Sequence, residues 1–348
     1  MSTANHPSSD QTYDALLFVS FGGPESREDV LPFLENVTRG RNVPRERLLE
    51  VAEHYYHFGG ASPINAQNRE LIAALEKMLA EEGPPLPIYF GNRNWAPYLK
   101  DTVAQMAADG VRRALAFCTS AYSSYSGCRQ YRENIAAAQA EVSPQAPTID
   151  KLRVFFNHPL FIEASVDRVA CAIAELPAAE QATAPILFTA HSIPGSMASN
   201  CRYEAQLKNT AALVAERLPG HAWQLVYQSR SGPPTQPWLE PDICDAVRTL
   251  AGQGAKSVVI APIGFLSDHL EVLYDLDVEA RAVTDELGIP MARAATVGVH
   301  PAFVRMIREL ILERTEPTAP RRAIGELPPV VDVCPVDCCL LGGRPAVS

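Results

Sequence analysis

The stretch ILFTAHSIP, residues 186–194, is an apolar run that stops at a histidine and a proline. ILFTA is apolar at nearly every position, the pattern of a strand covered by helices on both faces of a parallel sheet. Working outward, DALLFVS (14–20), LPIYFG (86–91), ALAFC (114–118) and LRVFF (152–156) read as strands of a first half, while QLVYQ (224–228) and SVVIAPI (257–263) join ILFTA in a second. Helical stretches such as RENIAAAQAEV, VDRVACAIAEL and NTAALVAERL lie between the strands. The alternation predicts an α/β fold of two similar units, each built on a parallel sheet. A length of 348 residues agrees, since a domain takes about 150. The expected divisions are a disordered N-terminus over 1–12, domains over 13–148 and 149–315, and a Pro-rich tail over 316–348. The last helix of the second domain is expected to be able to pack back on the first.

Composition excludes several functions. Apolar residues make up 47% and charged residues 20%, which is globular and far from disorder. Thirty Lys and Arg against forty Asp and Glu leave a net charge of −10, so nucleic acid and anionic membrane are not expected partners. The N-terminus lacks a basic segment followed by an apolar core, and no run approaches the ~18 apolar residues of a membrane span. The expectation is a cytoplasmic protein without integral membrane association. In a reducing compartment its eight cysteines are buried thiols or metal ligands rather than disulfides.

Ligands of open α/β sheets bind beyond the carboxyl ends of strands, which singles out three segments. Phe21-Gly22-Gly23-Pro24 follows the first strand; it suits close backbone approach to a ligand, or is only a tight turn. His191-Ser192-Ile193-Pro194 follows ILFTA, where an imidazole can take a proton or meet a metal, or serve the structure alone. Gly264-Phe265-Leu266-Ser267-Asp268-His269-Leu270-Glu271 follows SVVIAPI and leads into a helix carrying Glu271, Asp275 and Glu279 at i, i+4 and i+8. Carboxylates stacked along one face repel unless protons or a cation relieve them, although a solvated helix face carries the same spacing. An imidazole beside carboxylates, with no thiolate, suits transient handling of a divalent ion or of protons. Arg39, Arg41, Arg45 and Arg47 could grip the carboxylates of a small ligand, and HYYHFGG (54–60) offers aromatic surface for a flat one or for core packing. The tail from Thr315 holds six prolines and three glycines without periodicity, but Cys334, Cys338 and Cys339 give it an anchor.

Six longer segments, SFGGP (20–24), FGGASPIN (58–65), FGNRNWAPY (90–98), TAHSIP (189–194), YQSRSGPPTQPWLEPD (227–242) and PIGFLSDHLEVLYDLD (262–277), make the chain resemble the ferrochelatase family over roughly residues 13–315. The resemblance implies two Rossmann-like domains facing a central porphyrin cleft, and a lyase of haem biosynthesis that inserts Fe²⁺ as substrate. It puts the family's catalytic histidine on His191 and its acidic partner on Glu271, both meeting the incoming metal. Phe21, Arg39, Arg45, Tyr125, Asp275 and Glu279 then line the path of substrate and metal. The tail resembles iron-sulfur members of the family and implies a 2Fe-2S cluster on Cys128, Cys334, Cys338 and Cys339, with Cys118 as a substitute internal ligand. Two positions depart from relatives: Phe21 stands where some carry a metal-ligating tyrosine, and Asn94 where others carry histidine. The cysteine tail together with VTRGR (37–41) resembles actinobacterial members that act on coproporphyrin III, and a charged 25–47 region suits that more acidic porphyrin. The alternatives are a protoporphyrin IX ferrochelatase, a cobalt chelatase, a non-catalytic porphyrin or haem carrier, and a zinc hydrolase that would lack a third ligand. A monomer is expected.

Overall fold

The computed structural model describes residues 12–40, 43–232 and 235–342. Most of the expected disordered N-terminus, together with Arg41 and the last six residues of the tail, lies outside them. The first sheet contains β1 (Ala15–Ser20), β2 (Ile88–Asn92), β3 (Arg113–Cys118) and β4 (Thr148–Lys151). Around it lie α1 (Val30–Val37), α2 (Arg45–His57), α3 (Ile64–Glu82), α4 (Leu99–Ala108) and α5 (Gln130–Val142), with a π-helical turn at Tyr125–Arg129. The second half runs α6 (Pro159–Glu175), β5 (Ile186–His191), α7 (Gly195–Ala198), α8 (Tyr203–Ala215), β6 (Trp223–Gln228), α9 (Ile243–Gly252) and β7 (Val258–Ala261). It ends with α10 (Leu270–Val272), a π-helix over Leu273–Ala280, α11 (Arg281–Leu287), β8 (Met291–Arg293) and α12 (Pro301–Thr315).

All pairings are parallel, and the two sheets share one topology: β2-β1-β3-β4 and β6-β5-β7-β8. Each half starts in the middle of its sheet, winds to one side, then crosses to the other. β1, β7 and all but the last residue of β5 are buried, as the uninterrupted apolar runs require. Phe18, Phe117, Phe155, Phe161, Phe188 and Phe303 fall in one core that reaches both sheets. Polar bonds also join the halves: Tyr122 Oη donates to Ile263 O at 2.9 Å, and the Asp268 amide donates to Gln67 Oε1 at 2.7 Å.

Two features of the strand reading change. LRVFF is not a strand; the ladder starts four residues earlier, over Thr148–Lys151, and ends after the Leu152 amide reaches Ala116 O. Arg153 turns instead to Glu313, while Phe155 and Phe156 fill the core. β8 is an added edge strand of three residues, too short to show alternation. The segment after α12 crosses the body by borrowing partners. Arg153 Nη2 donates to Arg322 O at 2.8 Å, the Ile324 amide to Asn157 O at 3.0 Å, and Asn157 Nδ2 to Leu327 O at 2.6 Å. Backbone without a ladder of its own needs such external partners.

α12 packs against α3 and α6, and its Glu313 holds Arg153 by two hydrogen bonds of 2.7 and 2.8 Å. The two side chains are 2% and 1% exposed, so losing either charge strands the other. Glu313→Gln should therefore lower unfolding free energy by about 3–5 kcal/mol in a denaturant titration; a loss below about 1 kcal/mol would contradict this reading of the pair.

Candidate functional site

In the second sheet the chain leaves β5 toward β6 and returns to β7 on the other side. That reversal opens a crevice at the carboxyl ends of β5 and β7, where open α/β sheets take their ligands. His191 is the last residue of β5, and the 262–271 segment leaves β7 beside it. Gly264 makes the approach possible: a Cβ there would lie 2.6 Å from Ala190 Cα, and its amide donates to Thr189 O at 3.0 Å. The outcome is an imidazole and a carboxylate in contact, His191 Nε2 lying 3.6 Å from Glu271 Oε2, with side chains 36% and 50% exposed.

The imidazole is held from behind. His191 Nδ1 meets Ser192 O, Tyr203 Oη donates to His191 O at 3.1 Å, and Ser192 Oγ donates to Leu239 O at 2.8 Å. The acids do not ride a regular α-helix. α10 passes directly into the π-helix, whose hydrogen bonds close over five residues and re-aim the side chains. Glu271 faces His191, whereas Asp275 accepts hydrogen bonds from Ser229 Oγ and, at 3.3 Å, from Gln228 Nε2. Glu279 lies further on, near Asp242 and Cys244. Burial pushes the Asp275 carboxyl up to about 7; Ser229 opposes this and the charges of Glu271 and Glu279 add to it. Glu279 is raised by burial and by Asp242.

His269, inside the quoted segment yet unmarked by any spacing, belongs to the same site. Burial lowers its pKa; Glu271 opposes that and His191 adds to it. Gln228 and Ser229 escaped the sequence reading as well; Ser229 takes a left-handed φ of 59°, unusual for a side chain bearing a Cβ. The first half supplies the facing wall. The Tyr55 hydroxyl has its pKa raised by burial and by the Glu271 charge, and His54 stacks on Tyr274 with centroids 3.7 Å apart and planes 6° off parallel. An open cavity of about 460 Å³ between α2 and the π-helix is lined by Arg27, Glu53, His54, Tyr56, His57 and Tyr274.

The remaining sequence candidates are spread around this centre. Phe21, just past β1, packs edge-on against Phe33 and under the Arg93 guanidinium. Asn94 is engaged in the loop: its Nδ2 donates to Phe21 O at 3.2 Å, and its carbonyl accepts from Asn36 at 2.6 Å. Arg39 is exposed at the end of α1, and Arg45 is already paired with Glu35 at 3.1 Å. Tyr125 opens the first π-helical turn and donates to Glu133 at 3.1 Å.

Four of the cysteines gather where the tail meets the first half. Cys128, in that first π-helical turn, meets Cys334, which in turn meets Cys338, and Cys338 contacts Cys339. The thiol donated by Cys334 and the nearby Lys151 ammonium hold Cys128 down to about 5 against the effect of burial. Cys334, the donor, is raised, and burial lifts Cys339 to about 12. Arg129 Nη1 fastens the tail by donating to Val336 O and Cys338 O at 2.7 and 2.9 Å. Cys339 takes a φ of 53°, which lets two adjacent cysteines turn different ways. Cys118 is buried nearby, with its thiol raised to about 11 by burial. Among the described residues no group of three or more His, Cys, Asp or Glu is set to hold a metal ion, and no helix is long and apolar enough to cross a membrane.

Known proteins resemble the chain along its whole length. Ferrochelatase of Rhodopirellula baltica is 58% identical over 342 residues, covering 96% of this chain and 97% of its own. Coproporphyrin III ferrochelatases of Streptomyces coelicolor and Frankia alni are 53% and 55% identical, covering 97% of this chain and 96% and 89% of theirs. Among solved structures, SirB from Bacillus subtilis with Fe³⁺ superposes with a TM-score of 0.56 at 13% identity, covering 88% of this chain and 99% of that one. CbiX, described as the terminal enzyme for biosynthesis of siroheme in denitrifying bacteria, gives 0.50 at 16%, covering 86% and 98%. These two likenesses concern the fold: two parallel α/β halves of the chelatase kind. The ferrochelatase family profile matches residues 13–315, and with more than half of this sequence shared with full-length relatives, the chain belongs to the ferrochelatase family.

Proposed function

We propose that the protein inserts Fe²⁺ into coproporphyrin III, giving coproheme in haem biosynthesis, and that it works as a cytoplasmic monomer. The observation that carries this reading is the His191–Glu271 pair at the crevice of the second sheet, 3.6 Å apart and open to an incoming ion. The Streptomyces and Frankia relatives, which carry that porphyrin in their names, support the choice of substrate. A macrocycle with four propionates is strongly anionic, which suits Arg27 at the cavity.

Metalation replaces two pyrrole N–H protons by one Fe²⁺, and iron does not change oxidation state. The obstacle is the flat, rigid ring, whose nitrogen lone pairs become reachable when it is bent. Binding energy from ring faces and propionates can supply that distortion. His191 then takes a pyrrole proton or guides the ion from one face, with its ring fixed from behind, and Glu271 orients the ion. Asp275, raised to about 7, exchanges protons near neutrality and passes them toward Glu279. Phe21 has no metal-binding atom, so the part played in some relatives by tyrosine is absent from this position, and its ring packs instead.

Cys128, Cys334, Cys338 and Cys339 are proposed to hold a 2Fe-2S cluster. Such a cluster takes two thiolates on each of two irons rather than three ligands on one ion. The donor set fits: four thiols in a chain of contacts, on a tail fastened by Arg129. The cluster would supply a bond between the tail and the body.

Turnover on coproporphyrin III should exceed that on protoporphyrin IX at least tenfold in an anaerobic Fe²⁺ assay followed optically. The reverse preference defeats the substrate reading, and porphyrin binding with no metalation makes the protein a carrier. Cys334→Ser should remove the visible absorption of an iron-sulfur chromophore; an unaltered spectrum excludes that thiol as a ligand. A carboxyl whose folded pKa is raised costs stability above its unfolded pKa, increasingly as pH climbs to about 7. Asp275→Asn should therefore raise Tm at pH 8 and leave it nearly unchanged at pH 3, where the wild-type acid is largely protonated in both states; equal shifts at the two pH values would contradict this.

A further inference from the structure

One guanidinium holds the acid-bearing segment at two places. Arg293 ends β8, in register with Ile260 of β7, so its backbone is fixed to the second sheet. Its Nη1 donates to Asp268 Oδ1 at 3.1 Å and its Nε to Asp277 Oδ1 at 2.7 Å. The three side chains, Arg293, Asp268 and Asp277, are only 15%, 18% and 31% exposed, so water screens the pairs little. Asp268 precedes α10 and Asp277 lies inside the π-helix, and the bracket therefore encloses both Glu271 and Asp275. The near end is pinned further, since the Asp268 amide donates to Gln67 Oε1 and the Gly298 amide to Leu266 O at 2.9 Å.

The winding of that segment decides where its acids point. Leu273–Ala280 continues α10 without a break, and an ordinary α-helix there would hydrogen-bond over four residues instead of five. Such a rewinding turns the side chains on either side of it relative to one another about the helix axis. With the far end held, the α10 turn would swing and carry Glu271 away from His191; with the near end held, Asp275 would leave Ser229 and Gln228. A tie at one end cannot prevent this, whereas a tie at both ends can. Arginine suits the task because its planar fork presents separate N–H donors to two carboxylates, while a lysine ammonium is a compact charge on a flexible stem.

We propose that Arg293 is a positioning residue of the iron-inserting site: by holding Asp268 and Asp277 together it fixes the π-winding that aims Glu271 at His191. It acts through Glu271 and not on the porphyrin. This rests on the His191–Glu271 reading and adds to it the residue that keeps the carboxylate in place. A structural role alone would make Arg293 a clamp for β8, whose loss lowers stability and slows insertion by the same factor whether or not residue 271 is a glutamate.

The test uses the full-length chain with Arg293→Lys and with Asp277→Ala, each made in wild type and in Glu271→Gln, and checked by circular dichroism for a Tm above the assay temperature. Fe²⁺ insertion into coproporphyrin III is followed anaerobically in single turnovers, and binding of the free porphyrin by its fluorescence. Displacing a reacting group by about 1 Å can cost about a hundredfold, so either substitution in wild type should slow insertion at least about tenfold. Porphyrin affinity should change by no more than about twofold, and in Glu271→Gln the same substitutions should slow insertion by less than about threefold, because the side chain that they misdirect is already disabled. A wild-type rate in folded Asp277→Ala or Arg293→Lys overturns the proposal, and so does a loss of equal size in the two backgrounds, which marks a structural clamp. Should Asp277→Ala not fold, Arg293→Lys, which keeps the positive charge, decides by the same comparison. Glu271→Gln with a wild-type insertion rate defeats the His191–Glu271 reading itself, and that result is visible before any Arg293 or Asp277 variant is compared.

Discussion

The reversal of strand order in the second sheet is the constraint on which the rest depends. Because β5 lies between β6 and β7, the connections leaving its carboxyl end and that of β7 part in opposite directions, and a gap has to open between them. Whatever ends β5 and whatever follows β7 must face that gap. Residues far apart in sequence, His191 and Glu271, are thereby brought within reach without any loop having to be long. Gly264 completes the geometry, since no side chain fits between its backbone and Ala190.

Charge is distributed to match. Near the crevice, acids dominate: Glu271 exposed, Asp275 half-buried on Ser229 and Gln228, Glu279 beyond. Burial and mutual repulsion hold protons on the inner members at a pH where a free carboxyl would have none. A row of acids near neutrality can both attract a cation and pass protons, the two traffic flows that metalation creates. Beyond the carboxyl ends of β3 and β4 the sign reverses, with Arg129 and Arg132 holding the carbonyls of the tail. The two sites share a scaffold but have opposite electrostatic tasks.

Much of this was legible in the sequence where local pattern and global fold agree. ILFTA, SVVIAPI and DALLFVS are apolar throughout because parallel strands are covered on both faces, so their strands and the histidine at a strand end could be read directly. LRVFF misled because β-branched and aromatic residues also fill the core outside a sheet, and only the buried Arg153–Glu313 pair shows why the chain turns there. Met291–Arg293 is too short for a period. The π-winding of Leu273–Ala280 was illegible because spacing of acids at four does not distinguish windings, and His269 was missed because nothing in its neighbours marks burial beside another imidazole. The path of the tail depends on single donors such as Asn157 and Arg129, each more than a hundred residues away in sequence, so the cysteines could suggest an anchor but not the route.

The central claim is that His191 and Glu271 act on iron as one unit. A double-mutant cycle in kcat/KM for Fe²⁺ insertion, using His191→Ala, Glu271→Gln and the combination, tests it most directly. Groups that act together give a double variant scarcely worse than the worse single one, with folding intact in all three. Losses that multiply across the two substitutions would mean that the residues act independently, and the account of a shared site would be wrong.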